Sequence, residues 1–308
     1  MSSVGFIYDP IFLEHDTGAR HPENAGRLRA ILAAIEPLRE RLLFLEPKPA
    51  PLDVLALVHS SFHIEFIEEK SLEEEAIDGD TQVSSNSFEA ALMAVGAGVE
   101  AVDRIYSGEI KSAFCAVRPP GHHATSTQAM GFCLFNNVAI TARYAQSMGY
   151  EKVMIIDFDV HHGNGTQEIF YEDSTVFYFS THEYPAYPGS GAADERGGGE
   201  GEGFTHNFPL RAFSADDDIL PIYEEELLLD VESFNPDVIL VSAGYDLHVA
   251  DPLAQLQVTT EGIKRIVEAI TQSSEVPKIF MLEGGYNLKA LGESVAETLK
   301  VMMRPAFS

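Results

Sequence analysis

The segment Ile156-Asp157-Phe158-Asp159-Val160-His161-His162-Gly163-Asn164-Gly165 sets two carboxylates and an imidazole at alternate positions behind an apolar run. In an extended backbone, residues 157, 159 and 161 point to one side. Burying three such groups together is costly unless they hold a cation or one another. A divalent metal would satisfy all three; a solvated, polar strand end is the alternative. Three more segments carry reactive groups. Val241-Ser242-Ala243-Gly244-Tyr245-Asp246 ends in a carboxylate that could join the same centre or cap a following helix. Arg118-Pro119-Pro120-Gly121-His122-His123-Ala124 presents adjacent imidazoles in a loop stiffened by proline. On spacing alone, His122 and His123 could be metal ligands, acid–base groups or a solvated pair. Leu282-Glu283-Gly284-Gly285-Tyr286-Asn287 places a phenol after two glycines. Tyr286 could donate to an oxyanion, or its ring could simply pack. Together these groups match metal-assisted hydrolysis: ligands, a base for water and an oxyanion donor.

The elements that must position them read as alternating strands and helices. Strands are expected at 4–8, 112–117, 152–157, 175–180, 205–209, 237–242 and 278–282. Continuous apolar runs such as Val153-Met154-Ile155-Ile156 and Val238-Ile239-Leu240-Val241 suit strands buried on both faces of a parallel sheet. Helices are expected at 24–43, 87–106, 137–148, 216–231, 260–271 and 288–302. This alternation argues for one layered α/β domain over residues 1–308. In open parallel sheets, ligands sit beyond the carboxyl ends of the strands, where all four segments fall. The Gly-rich stretch 189–203 reads as a long functional loop.

Composition narrows the setting. The chain has 308 residues, 45% of them hydrophobic, and carries 48 acidic against 20 basic side chains, a formal charge of −28. Such a surface disfavours direct nucleic-acid binding and favours cationic ligands, although solubility or a salty cell is the plainer reason for the acidity. No apolar run nears the roughly 20 residues of a membrane helix. The N-terminus lacks a basic region followed by an apolar one and does not read as a signal peptide. Cys115 and Cys133 lie far apart, outside any CxxC pair. A disulfide framework is not expected, and a reducing cytoplasm is the simplest setting. The sequence leaves the assembly state open, a homo-oligomer included.

From the Arg20-His21-Pro22-Glu23-Asn24 region to Gly284-Gly285-Tyr286, the chain resembles the histone deacetylase family. That family includes bacterial histone deacetylase-like amidohydrolases and acetylpolyamine amidohydrolases. The resemblance implies a single arginase-like α/β domain around a mostly parallel eight-stranded sheet with helices on both faces. It implies that Asp159, His161 and Asp246 hold a divalent metal, zinc first, with iron(II) or cobalt(II) compatible with two carboxylate ligands. His122 and His123 match paired catalytic histidines, supported by Asp157 and Asn164, and Tyr286 matches the oxyanion donor. Gly131 and Phe132, with Cys133, match one tunnel wall, and Tyr187 the facing aromatic. Structural potassium is implied at an inner site of Asp157, Asp159, His161, Ser180 and Thr181. An outer site would use carbonyls of Phe170, Asp173 and Val176. Asn164 is Asp in some members; here it can orient His123 without a charge, so a lower His123 pKa is expected. With Glu283-Gly284-Gly285-Tyr286, it places the chain near the class II and bacterial amidohydrolase branch.

Three readings of the substrate follow: acyl-lysine in a protein or peptide, a small acetylpolyamine, or none, in a non-catalytic acyl-lysine-binding or regulatory module. The last is weakest, because every matched position holds a competent residue. Leu253 stands where eukaryotic polyamine-selective relatives carry Glu, which favours acyl-lysine. Glu14 and Asp16 on the first loop, if not merely solvated, would favour a cation.

Overall fold

The computed structural model describes residues 4–304. Eight strands form one sheet: β1 (Val4–Ile7), β2 (Leu42–Leu45), β3 (Ser112–Cys115), β4 (Val153–Asp157), β5 (Val176–Glu183), β6 (Thr205–Leu210), β7 (Val238–Ala243) and β8 (Lys278–Leu282). Their order is β2-β1-β3-β8-β7-β4-β5-β6, and every pairing is parallel. β4, β7 and β8 are buried at each position. Strands buried that completely need cover on both faces, which helices such as Ser87–Tyr106, Asn137–Ser147 and Leu288–Met302 supply. The arginase-like α/β architecture expected from the sequence is the one observed.

Two helical expectations change. The stretch 24–43 splits into a helix over Gly26–Ile35, a 3-10 segment over Glu36–Arg41, and β2. Pro37 has no N–H for a regular helical turn. The apolar run Leu42–Leu45 then pairs residue for residue with Val4–Ile7. A four-residue apolar run cannot be assigned to helix or strand by periodicity alone. The stretch 216–231 is helical but contains a π-helical turn at Ile222–Glu226, just after Pro221, and runs on to Phe234. The helix Ser61–Glu73 was not among the expected elements. β5 also runs three residues beyond Ser180, through Thr181, His182 and Glu183, all buried.

Because all strands run one way, their carboxyl ends share one edge. β3, β8, β7, β4 and β5 are consecutive neighbours. The loops that follow them carry His122 and His123, Tyr286, Asp246, Asp159 and His161, and Tyr187. No helix among the described residues is long and apolar enough to cross a membrane.

Candidate active site

β4 ends at Asp157, so strand alternation does not carry as far as Asp159 and His161. The loop itself sets their positions. Asp157 Oδ1 accepts the Asp159 N–H at 3.1 Å, and Asp159 Oδ1 accepts the His161 N–H at 2.9 Å. Asp246 reaches across from β7, its Oδ1 accepting the Val160 N–H at 3.1 Å. One ligand atom from each of Asp159, His161 and Asp246 lies within 4.8 Å of the others. Asp157 is turned away from this group, toward His122. Both ligand-type carboxylates are buried, at 1% and 0% exposure. Asp246 Oδ2 has no hydrogen bond, although His161 Nδ1 stands 3.2 Å away. An orphaned, buried carboxylate oxygen facing a second carboxylate calls for a cation. The surrounding backbone leaves room for the carboxylates only through glycine: a Cβ on Gly284 would lie 2.0 Å from Asp246 Oδ2 and 2.6 Å from Asp159 Oδ2. The three residues fit a divalent metal.

The two histidines differ in their partners. His122 Nδ1 donates to Asp157 Oδ2 at 3.0 Å, and its Nε2 faces Asp159 Oδ1 at 3.8 Å. Burial alone would lower the His122 pKa; the charges of Asp157 and Asp159 outweigh it and raise the pKa to about 10. A dication held by Asp159 would oppose that rise. His123 Nδ1 donates to Asn164 Oδ1 at 2.9 Å, which leaves Nε2 with a free lone pair. Burial, then the charges of His122 and His161, hold His123 well below its ordinary pKa. The hydrogen bond from His123 to Asn164 acts the other way, so the lowering comes from burial and the neighbouring histidines, and the comparison with an Asp partner is a matter for mutation.

Tyr286 is partly buried, with its ring 6.0 Å from Phe132 and the Arg27 guanidinium 5.0 Å from its centroid. Burial and the charge of Asp246 keep the phenol protonated well above its usual range. Gly131 and Phe132 both lie in the left-handed region, at φ 55° and 70°. A Cβ on Gly131 would come within 2.5 Å of His123 Cδ2, so only glycine lets this wall lie against the imidazole. Tyr187 borders the other side, 5.2 Å from His123 and 6.2 Å from His161 between ring centroids. It shares a cavity of ≈ 210 Å³ with His161, Leu253 and Glu183. Leu253 is 43% exposed there. Glu14 and Asp16 are solvent-exposed.

Ser180 stands opposite Asp157 in the β4–β5 register and is buried, as is Thr181. Ser180 Oγ bonds His182 Nδ1 at 2.9 Å, and Thr181 Oγ1 bonds the Tyr223 hydroxyl at 2.7 Å. Phe170, Asp173 and Val176 bracket the turn into β5, where the Phe170 carbonyl accepts the Asp173 N–H at 3.0 Å.

Several contributors escaped the sequence reading. Tyr178 donates to Asp157 Oδ2 at 3.0 Å. The Glu283 carboxylate, fully buried, accepts the N–H groups of Gly121 at 2.6 Å and His122 at 3.2 Å; burial raises its pKa to about 7. His162, next to His161, bonds Ser190 and Gln167 instead of the centre, at 2.8 and 2.9 Å. His182 donates to the Gly191 carbonyl at 2.8 Å. These bonds, with Glu195 accepting the Gly191 and Ala192 N–H groups, pin the start of the Gly-rich 189–203 loop just after Tyr187. A polar residue type alone gives no sign of which backbone group it will hold.

A family model described as the histone deacetylase domain matches residues 21–302. The chain is 42% identical to "Histone deacetylase 10, chloroplastic" of Oryza sativa subsp. japonica, over 92% of this chain and 70% of that protein. It is 36% identical to a "Probable deacetylase" of Archaeoglobus fulgidus, over 93% of this chain and 82% of that protein. Among solved structures, that of the HDA15 HD domain superposes with a TM-score of 0.94 at 37% identity, covering 100% of this chain and 90% of the other. A match of this length, joined to the same architecture, settles the kinship: the chain belongs to the histone deacetylase family.

Proposed function

We propose that this chain is a metal-dependent deacylase of acylated amines, acetyl-lysine side chains foremost, acting as one catalytic domain. The observation that carries the reading is the convergence of Asp159, His161 and Asp246 beside two differently partnered histidines. Asp159, His161 and Asp246 would hold the ion, zinc or another divalent metal, which when bound supplies Lewis acidity to the acyl carbonyl and acidity to water. His123, neutral and with Nε2 free, takes the water proton and returns it to the leaving amine. Asn164 keeps its Nδ1 protonated and the ring oriented. His122, held by Asp157, supplies positive charge beside the centre. Tyr286 donates its phenolic proton to the oxyanion as a hydrogen bond. Phe132 and Tyr187 flank the acyl-lysine stem with aromatic surface. A potassium ion beside Asp157 and Ser180, and a second near Phe170, Asp173 and Val176, belong to the same reading. So does a cytoplasmic setting, supported by two buried, unpaired cysteines, Cys115 and Cys133.

The exposed Leu253 favours acyl-lysine, since it offers no charge to a distant ammonium. One observation favours acetylpolyamine as a second reading: Glu183 also lines the cavity that Leu253 shares with Tyr187, its carboxylate accepting the Gln255 N–H at 2.8 Å. The deciding experiment compares kcat/KM on an acetyl-lysine peptide and on acetylputrescine, before and after chelation and with zinc, iron(II) or cobalt(II) restored. Loss on chelation and recovery on add-back are expected, with the peptide preferred. Full turnover by metal-free protein would refute the metal centre, and turnover of neither substrate by any metal form would support a non-catalytic module.

A further inference from the structure

Asp251 lies in the loop after β7 and is 9% exposed. Its Oδ2 accepts the N–H of Tyr286 at 2.7 Å and that of Asn287 at 3.2 Å. Its Oδ1 accepts the Leu253 N–H at 3.0 Å. Asn287 Nδ2 donates back to the Ala250 carbonyl at 3.0 Å. A single carboxylate therefore joins two loops from neighbouring strands. One loop carries the phenol and the other carries Leu253 of the mouth cavity. The residue before the phenol, Gly285, sits at φ 117°, where glycine has a freedom that other residues lack. Arg27 and Phe132 border the Tyr286 ring, but neither binds its backbone N–H. Arg27 Nε donates to the Gly285 carbonyl of the same peptide unit at 2.7 Å, so Asp251 acts beside it, on the N–H side, where the chain leaves the two glycines.

We propose that Asp251 is a positioning residue: its carboxylate clamps the Tyr286 backbone to the Leu253 loop and thereby sets where the phenol stands. The inference rests on the reading of Tyr286 as the oxyanion donor. Misplacing a catalytic group by about 1 Å costs on the order of a hundredfold in rate. In D251N an NH₂ group replaces one of the accepting oxygens, so at least one backbone N–H faces a donor.

The test is a double-mutant cycle on the metal-loaded chain with an acetyl-lysine peptide: wild type, D251N, Y286F and D251N/Y286F, each first checked for a cooperative thermal transition. The expected result is that D251N lowers kcat by about tenfold or more with KM within about threefold. In the Y286F background D251N should change kcat by less than about threefold, because the group it positions is gone. An equal loss in both backgrounds, or an unchanged kcat in D251N, would overturn the proposal. Y286F within about tenfold of wild type would instead remove the reading of Tyr286, and the proposal with it. Should D251N fail to fold, D251E, which keeps the carboxylate on a longer stem, carries the same cycle.

Discussion

Replacing Asn164 by Asp tests the assignment of His123 as the base. The amide oxygen lies 2.9 Å from His123 Nδ1, so a carboxylate there would face the ring directly. Two unit charges about 4 Å apart gain roughly 4 kcal/mol at an effective dielectric near 20. Desolvation of the new carboxylate offsets part of that, and an adjacent opposite charge typically shifts a pKa by about 1–3 units. The sign is upward, because the carboxylate stabilises imidazolium. A base must be neutral to work, so the acidic limb of kcat/KM should move up by roughly 1–3 pH units. The assay is kcat/KM for an acetyl-lysine peptide from acid to alkaline pH, on metal-loaded wild type and N164D. N164D should be slower by about tenfold or more on the acid side and approach wild type on the alkaline side. The amide also donates weakly to the His123 carbonyl at 3.5 Å, so thermal midpoints should be compared to separate misfolding from titration. An acidic limb that stays put or moves down, in a folded variant, refutes His123 as the group that must lose its proton.

Other outcomes follow from the same geometry. Y286F should cut kcat by about 100- to 1000-fold, as loss of an oxyanion donor does, with a small effect on KM; a loss below about tenfold excludes that role. Glu23 is fully buried between Arg118 and Arg27, accepting from Arg118 at 2.8 Å and Arg27 at 3.1 Å, so E23A should lose about 3–5 kcal/mol in urea unfolding. A loss below about 1 kcal/mol would show that the two guanidiniums find other partners. His59 is buried beside His63, and burial, then the His63 charge, lowers its pKa to about 3. Its folded pKa lies below the unfolded value, so its contribution is complete above about pH 6.5 and is lost as pH falls, roughly 2 kcal/mol between pH 7 and 5. H59Q keeps an acceptor for the Asn136 N–H, so the stability gap between wild type and H59Q should shift by that amount between those pH values; a constant gap would place a charged His59 in the folded state.

The parts of the fold that were legible in the sequence have one cause. Strands such as Val153–Asp157 and Val238–Ala243 are apolar on both faces because the sheet is parallel and covered, and their shortness, β-branched residues and flanking polar turns favour strand over helix. β2 differs from the expected helix although Glu36-Pro37 and Arg39-Glu40-Arg41 break the apolar pattern before Leu42; the four-residue run itself carries no period, and its pairing with β1 makes it a strand. The extension of β5 was misread for the opposite reason. Thr181, His182 and Glu183 are polar, yet each is buried with a partner from elsewhere in the chain: the Tyr223 hydroxyl, the Gly191 carbonyl and the Gln255 N–H.

The site divides along the same line. Asp159, His161, His122, His123 and Tyr286 can be picked out by residue type after predicted strands, although their separate roles come from the family resemblance. What holds them cannot. Asp159 Oδ2 accepts the Gly284 N–H at 2.8 Å, tying β4 to the loop after β8. Asp246 from β7 holds the Val160 N–H after β4. Glu283 from β8 holds Gly121 and His122 after β3. Asp251 after β7 holds Tyr286 after β8. The loops after β3, β4 and β8 are thus each fastened by a carboxylate carried at the end of another strand. When such an acceptor is ionised, its bonds to backbone N–H groups are stronger than neutral ones. They also satisfy backbone that a buried loop would otherwise leave unpaired. The carboxylates at the sheet edge therefore do two jobs, and only the chemical one is written in residue type and spacing. The mechanical one depends on which strands are neighbours, a property of the β3-β8-β7-β4-β5 order that no local stretch of sequence contains.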